Sequence, residues 1–372
     1  MLCGEHPNDL KQWLRCKRSS CMQEVLSRLS PLFSLCAPLL LAVPLTTSPA
    51  DAQRPRTEAL LGGTDTDLSS SPIALILTKK FLCTGLLVGP QQILTAGHCM
   101  DASASEYRVI VGTKKFLVDG VFRSAAYDPL GPVTLGTIQY DLGMLTLTSP
   151  VEEVAPSPIL QDLPLRPRDS VTVFGRGTNE LPDAIQGLGT GRVGNLKVED
   201  VNGAVIITST GSADVATCPG DSGAPLFRSV AGYTVTAGVV SAGTNDADAA
   251  GMCRPSKGGI SVFVDLQSPS SRSFLSQFPE VQYLSGRKVS FLSGVNELAP
   301  RLTGTNVAKN GTKLVSQFTK LRRFADPLRA PILNAVIRSL KEASSSRSKP
   351  KKLAALQAAA SAVQELQALG IE

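Results

Sequence analysis

Between Leu60 and Val264 the chain is written in short apolar, β-branched runs separated by Gly, Pro and Asp, and this punctuation limits what it can fold into. Ile73–Leu77, Gly85–Val88, Arg108–Val111, Met144–Leu147, Ser170–Phe174, Ala204–Thr208 and Val235–Val240 are such runs. Many short strands with frequent turn signals predict a sandwich or barrel. Hydrophobic residues make up 42% of the chain and charged residues 18%, with 32 Gly and 25 Pro. That mixture suits a globular, loop-rich β protein and not a disordered one.

Beyond Ser268 the period changes. Leu314, Phe318, Leu321 and Phe324 recur at spacings of four, three and three, and Ile332, Val336 and Leu340 continue the stripe, so helices are expected there. Ala343–Lys352 reads as a Ser- and Lys-rich linker, and Leu353–Leu369 as a further helix rich in Ala, Leu and Gln. The net charge of +6 comes mostly from residues after Gly286. The basic balance therefore describes this C-terminal part and not the β-rich part.

The N-terminal segment reads as an address label. A mildly basic run closes at Arg28, Leu32–Leu45 is apolar but broken by Pro38 and Pro44, and Ala50-Asp51-Ala52 offers small residues for cleavage. At 14 residues the apolar stretch is short for a membrane span, although an uncleaved anchor is a competing reading. The expected organisation is a targeting segment over 1–52, a short propeptide over 53–59, a β domain over 60–280 and a basic helical extension over 281–372. A secreted or periplasmic location follows from the first of these.

Only two histidines are present, His6 and His98, and His6 lies in the targeting segment. A zinc site of several His ligands is excluded by that count, and neither a clustered Cys/Asp/Glu set nor a nucleotide loop is seen, so no cofactor or metal is expected. The remaining imidazole sits in TAGHC (Thr95–Cys99), followed by DLGML (Asp141–Leu145) and GDSGAP (Gly220–Pro225). In that order the three motifs resemble those of the trypsin/chymotrypsin-like serine proteases. The resemblance covers roughly Leu60–Ser268 and implies two packed six-stranded antiparallel β-barrels with a catalytic cleft between them.

It also implies roles. Ser222 is the expected nucleophile, His98 the base that takes its proton and later protonates the leaving amine, and Asp141 the carboxylate that holds the imidazole tautomer. The bland reading of Asp141 is an acid closing the turn after Tyr140. Gly220 and Ser222 are the expected backbone donors to the oxyanion. Cys83–Cys99 and Cys218–Cys253 are the implied disulfides, with four buried free thiols as the alternative. Leu60-Leu61-Gly62-Gly63 resembles the family's mature terminus, and Asp221 is the acid expected to receive the α-ammonium of Leu60. Ala59 precedes it in place of the usual Lys or Arg, which points to removal of Gln53–Ala59 by another route, self-cleavage included. Signal cleavage alone, leaving Gln53 first, is the competing reading.

The family's pocket floor falls on Ala216, with Gly243 and Gly259 as walls and Ser241 and Gly243 as backbone partners of the substrate. An uncharged floor leaves a buried Lys or Arg side chain unpaired, so an apolar P1 residue is expected. Asp246 and Asp248, in a long loop, are either solvated or able to reach in and rescue a basic P1. Protein or peptide substrates are the implied partners. The basic extension offers either a solvated helix face or a surface for an anionic partner, with no motif for sequence-specific nucleic-acid reading and no transmembrane span in the mature chain. A binding or adhesion protein on a protease-like scaffold is the alternative function, since motifs alone do not prove turnover.

Overall fold

The computed structural model describes residues 60, 63–176, 190–209, 215–243 and 260–370. The expected targeting segment and propeptide, and Cys253, Gly259, Asp246 and Asp248, lie outside them.

The first sheet contains β2 (Ile73–Leu77), β3 (Leu82–Leu87), β4 (Gln92–Thr95), β5 (Arg108–Val111), β6 (Lys114–Phe116), β7 (Val118–Arg123) and β8 (Gly143–Leu147), after a leading strand β1 (Thr64–Asp67) that belongs elsewhere. Its order is β6-β5-β2-β3-β4-β8-β7, with every neighbour antiparallel. All residues of β3 and β4 are buried, Thr84, Gln92 and Thr95 included, so these strands show no alternation of buried and exposed positions. The curled sheet wraps a core that includes Ile76, Leu87, Ile93, Val109, Leu145 and Tyr107. A short helix α1 (Leu135–Ile138), capped by Thr134, precedes β8 and delivers Asp141 to its start.

The second sheet contains β9 (Ile159–Gln161), β10 (Ser170–Gly175), β11 (Thr190–Asn202), β12 (Val205–Ser209), β13 (Pro225–Val230), β14 (Tyr233–Gly243), β15 (Ile260–Asp265) and β16 (Tyr283–Ser285). Six of these strands close on themselves in the order β13-β10-β11-β12-β15-β14 and back to β13, all antiparallel. β1 is added on β11, and β9 and β16 join as parallel strands beside β14. The expected double-barrel architecture is thus present, one half as a closed six-stranded ring and the other as a curled seven-stranded sheet.

Between the halves lies a third core that takes Leu86, Leu94 and Met144 from the first sheet and Val205, Val239 and Val264 from the second. Arg176, following β10, crosses this boundary. Its buried guanidinium donates to the carbonyls of Ile73 (3.3 Å), Ile110 (3.1 Å) and Gly112 (3.4 Å). Burial pulls its pKa down to about 10, opposed by the charge of Asp67. The carbonyl partners are what make a cation tolerable there.

The chain then leaves the barrels through helix α2 (Pro269–Leu275), capped by Ser268 and packed on the inter-barrel core through Phe274 and Leu275. Four longer helices follow: α3 (Gly286–Leu298), α4 (Gly304–Lys320), α5 (Arg329–Ser345) and α6 (Lys349–Ala368). They bury their own core, with Phe291, Val307, Phe318, Val336, Leu340 and Val363 among its residues. The expected linker over 343–352 is shorter in the structure: Ala343 is buried within α5, and Pro350 occupies the first turn of α6, where its missing N–H costs no hydrogen bond. Buried Arg329 ties the bundle's ends, pairing with Asp326 and donating to the carbonyls of Leu369 (3.3 Å) and Gly370 (2.8 Å). The bundle docks where Gly286 meets β9; a Cβ there would approach Leu160 Cδ1 and Leu163 Cβ to 2.7 Å.

At the end of β15, buried Asp265 accepts the N–H of Gln267 (2.9 Å), but burial dominates and raises its pKa above 3.8. A carboxyl raised on folding favours the folded state fully below its unfolded pKa and loses that contribution as pH rises through the folded value. Asp265→Asn keeps an acceptor for Gln267 and removes the buried charge. Thermal unfolding should therefore show a stabilised variant at neutral pH, with the gain disappearing below about pH 4.

Candidate functional site

β4 ends at buried Thr95, and the chain turns tightly through Gly97–Cys99, with Cys99 bonded to Cys83 of β3 (Cα–Cα 6.4 Å). This pins both ends of the segment that carries His98. Position 97 allows little bulk, because a Cβ there would lie 3.0 Å from the carbonyl of Leu142 and 3.1 Å from Asp141 Oδ1. Close approach brings the turn onto Asp141, whose side chain is 2% exposed.

The Asp141 carboxylate accepts three hydrogen bonds. Oδ1 takes the backbone N–H of His98 (2.8 Å), while Oδ2 takes His98 Nδ1 (2.8 Å) and Ser241 Oγ (2.5 Å). With the carboxylate ionised, the proton on the neutral ring belongs on Nδ1, leaving Nε2 as the acceptor nitrogen. Near this pair burial, reinforced by the charge of Asp141, pushes the Tyr127 hydroxyl up to about 12, so Tyr127 stays neutral.

Ser222 lies in a turn built around two glycines, Gly220 (φ 94°) and Gly223 (φ 83°), in the left-handed region that side chains disfavour. The turn is held from several sides. The carbonyl of Ser222 accepts Thr84 N–H (2.8 Å), that of Gly220 accepts Thr84 Oγ1 (2.9 Å), and Gly223 N–H donates to Val240 (2.8 Å). Among the described residues, neither Gly220 nor Ser222 gives its own N–H to an acceptor. Asp221 is fully buried, and its Oδ2 accepts the N–H groups of Leu60 (2.9 Å) and Cys218 (3.0 Å). Leu60 is itself fully buried.

The expected pocket residues fall close together. Ala216 is fully buried, and its neighbour Thr217 bonds Ser261 Oγ through both N–H (3.1 Å) and Oγ1 (2.9 Å). A Cβ on Gly243 would stand 3.3 Å from Thr217 Oγ1, which places the end of β14 against this segment. Cys218 is disulfide-bonded, while its expected partner Cys253 and the expected wall Gly259 lie outside the described residues. Sulfurs of Cys83 and Cys99 lie near the His98 ring, but they are bonded to each other and offer no thiolate to a metal.

Three contributors are not evident from residue types alone. Thr84 holds the Ser222 turn by backbone and hydroxyl, Ser241 uses its hydroxyl on Asp141, and Arg176 joins the two halves. Nothing in a lone Thr, Ser or Arg announces such a task.

The family model described as Trypsin matches residues 60–257. Among curated proteins, the chain is 24% identical to glandular kallikrein-10 of Rattus norvegicus over 217 residues, 51% of this chain and 82% of the relative. It is 26% identical to rat tonin over 217 residues (50% and 82%), and 27% identical to trypsin iota of Drosophila melanogaster over 209 residues (52% and 81%). With a match spanning more than half of its length, from the buried Leu60 through the turn that carries Ser222, the chain belongs to the trypsin family.

Proposed function

We propose that the chain is a secreted serine endopeptidase that cleaves peptide bonds through an acyl-enzyme. The observation that carries this reading is the three-bonded Asp141 carboxylate holding His98 Nδ1 at 2.8 Å. It leaves Nε2 basic, which is what a neutral serine hydroxyl needs. In the proposed reaction His98 accepts the proton of Ser222 Oγ as that oxygen attacks the scissile carbonyl. The imidazolium then protonates the leaving amine, and water repeats the sequence to release the acid. Gly220 and Ser222 N–H groups, free of acceptors among the described residues, receive the developing oxyanion, each worth about 3 kcal/mol.

Ala216 forms the uncharged floor and Gly243 a wall of an open P1 pocket, so Leu, Met, Phe and Tyr are the proposed P1 residues. Cleavage after Ala59 would turn the buried Leu60 N–H into an ammonium already 2.9 Å from Asp221 Oδ2. The neutral hydrogen bond would become a charge-assisted one and lock the nucleophile turn.

Mapping cleavage sites in a mixed peptide library tests the reaction and the pocket together. Apolar P1 residues are expected, with kcat falling about a millionfold in Ser222→Ala and roughly ten-thousandfold in Asp141→Asn. Absence of cleavage by a preparation that begins at Leu60, or a biological effect retained in Ser222→Ala, would favour the binding scaffold. Amino-terminal sequencing of the active species should give Leu60; a start at Gln53 with full activity excludes the activation step. Gly175→Ala places a Cβ 2.1 Å from Asp221 Oδ1, so the turn must shift. Its kcat/KM should drop roughly a hundredfold while the fold's circular dichroism is kept.

A further inference from the structure

The connection between β9 and β10 and the helical extension enclose a cleft of about 400 Å³ that shares no residue with the site described above. Its lining carries four guanidinium groups, on Arg166, Arg228, Arg287 and Arg323, against two carboxylates, Asp162 and Asp169. The acids are already engaged. Asp162 accepts Ser285 Oγ (2.7 Å) and the N–H of Arg287 (2.9 Å) in the first turn of α3. Asp169 meets Arg228 Nη2 at 3.2 Å and accepts the N–H of Arg166 (2.9 Å).

The cations are less well matched. Arg287 Nη2 donates to the carbonyl of Arg323 (2.7 Å), and the Arg323 guanidinium lies over the Phe324 ring at 4.5 Å. Among the described residues, none of Arg166, Arg287 and Arg323 has a carboxylate within ion-pair distance. Like charges gathered on one concave wall repel, and a planar guanidinium presents paired donors that match phosphate oxygens. Leu163, Pro164 and Phe324 supply an apolar portion of the lining.

We propose that this cleft binds a compact phosphate-bearing polyanion of at least two negative charges. The walls come from both the second barrel and the bundle. The ligand therefore bridges them and stabilises their joint with the logarithm of one plus its concentration over Kd.

Calorimetric titration of the full chain carrying Ser222→Ala, at constant ionic strength, tests this with inorganic pyrophosphate and with fructose 1,6-bisphosphate. Saturable binding at one site per chain is expected. Preference for one probe distinguishes a free inorganic polyanion from a phosphate ester. Arg166→Ser combined with Arg323→Ser should weaken binding at least tenfold, about what losing one charge-assisted contact entails. Lys313→Ser combined with Lys341→Ser removes equal charge from exposed positions of the bundle and should leave affinity unchanged. Absence of saturable binding, or equal weakening in both pairs with native circular dichroism, overturns the proposal.

Discussion

A buried carboxylate must be met by donors or it destabilises whatever contains it, and Asp221 organises the structure in that way. Its Oδ2 collects the N–H groups of Leu60 and Cys218, one 161 residues away in sequence and one from its own turn. Gly175 presses against the same carboxylate so tightly that no side chain fits. The start of the β domain, the end of β10 and the Ser222 turn are therefore coupled through one acid. Moving any of them moves the backbone on either side of Ser222.

Asp141 performs the corresponding task across the two halves. It stands at the head of β8 in the first sheet yet takes a bond from Ser241 of β14 in the second. Thr84 of β3 does the same in reverse, binding both Ser222 and Gly220. With Arg176 capping three carbonyls of the first half, the interface is laced by polar contacts around an apolar core. Such geometry tolerates little relative motion, which is what positioning of reacting groups requires.

The helical extension is part of this arrangement and not an appendage beyond it. β16 pairs with β9, and Gly286 lets α3 begin directly against Leu160 and Leu163. Two of its exposed basic residues, Arg287 and Arg323, share a cleft with Arg166 and Arg228 of the second barrel.

The sequence by itself determined the architecture, the family and the residue types of the proposed site. Short punctuated runs allow only small strands, and the three motifs order His98, Asp141 and Ser222 without reference to distance. Helical stripes after Ser268 were equally legible, because Leu314, Phe318, Val336 and Leu340 repeat at the period of a buried face. The shortness of the connection after Ala343 was not, since Ser and Lys are compatible with both a linker and a helix end. Tertiary structure alone decided that Thr84, Ser241 and Arg176 support the site and that four arginines from separate segments share one cleft. The physical reason is common to all of these: the contacts join residues tens to more than a hundred positions apart, and local periodicity carries no information about them.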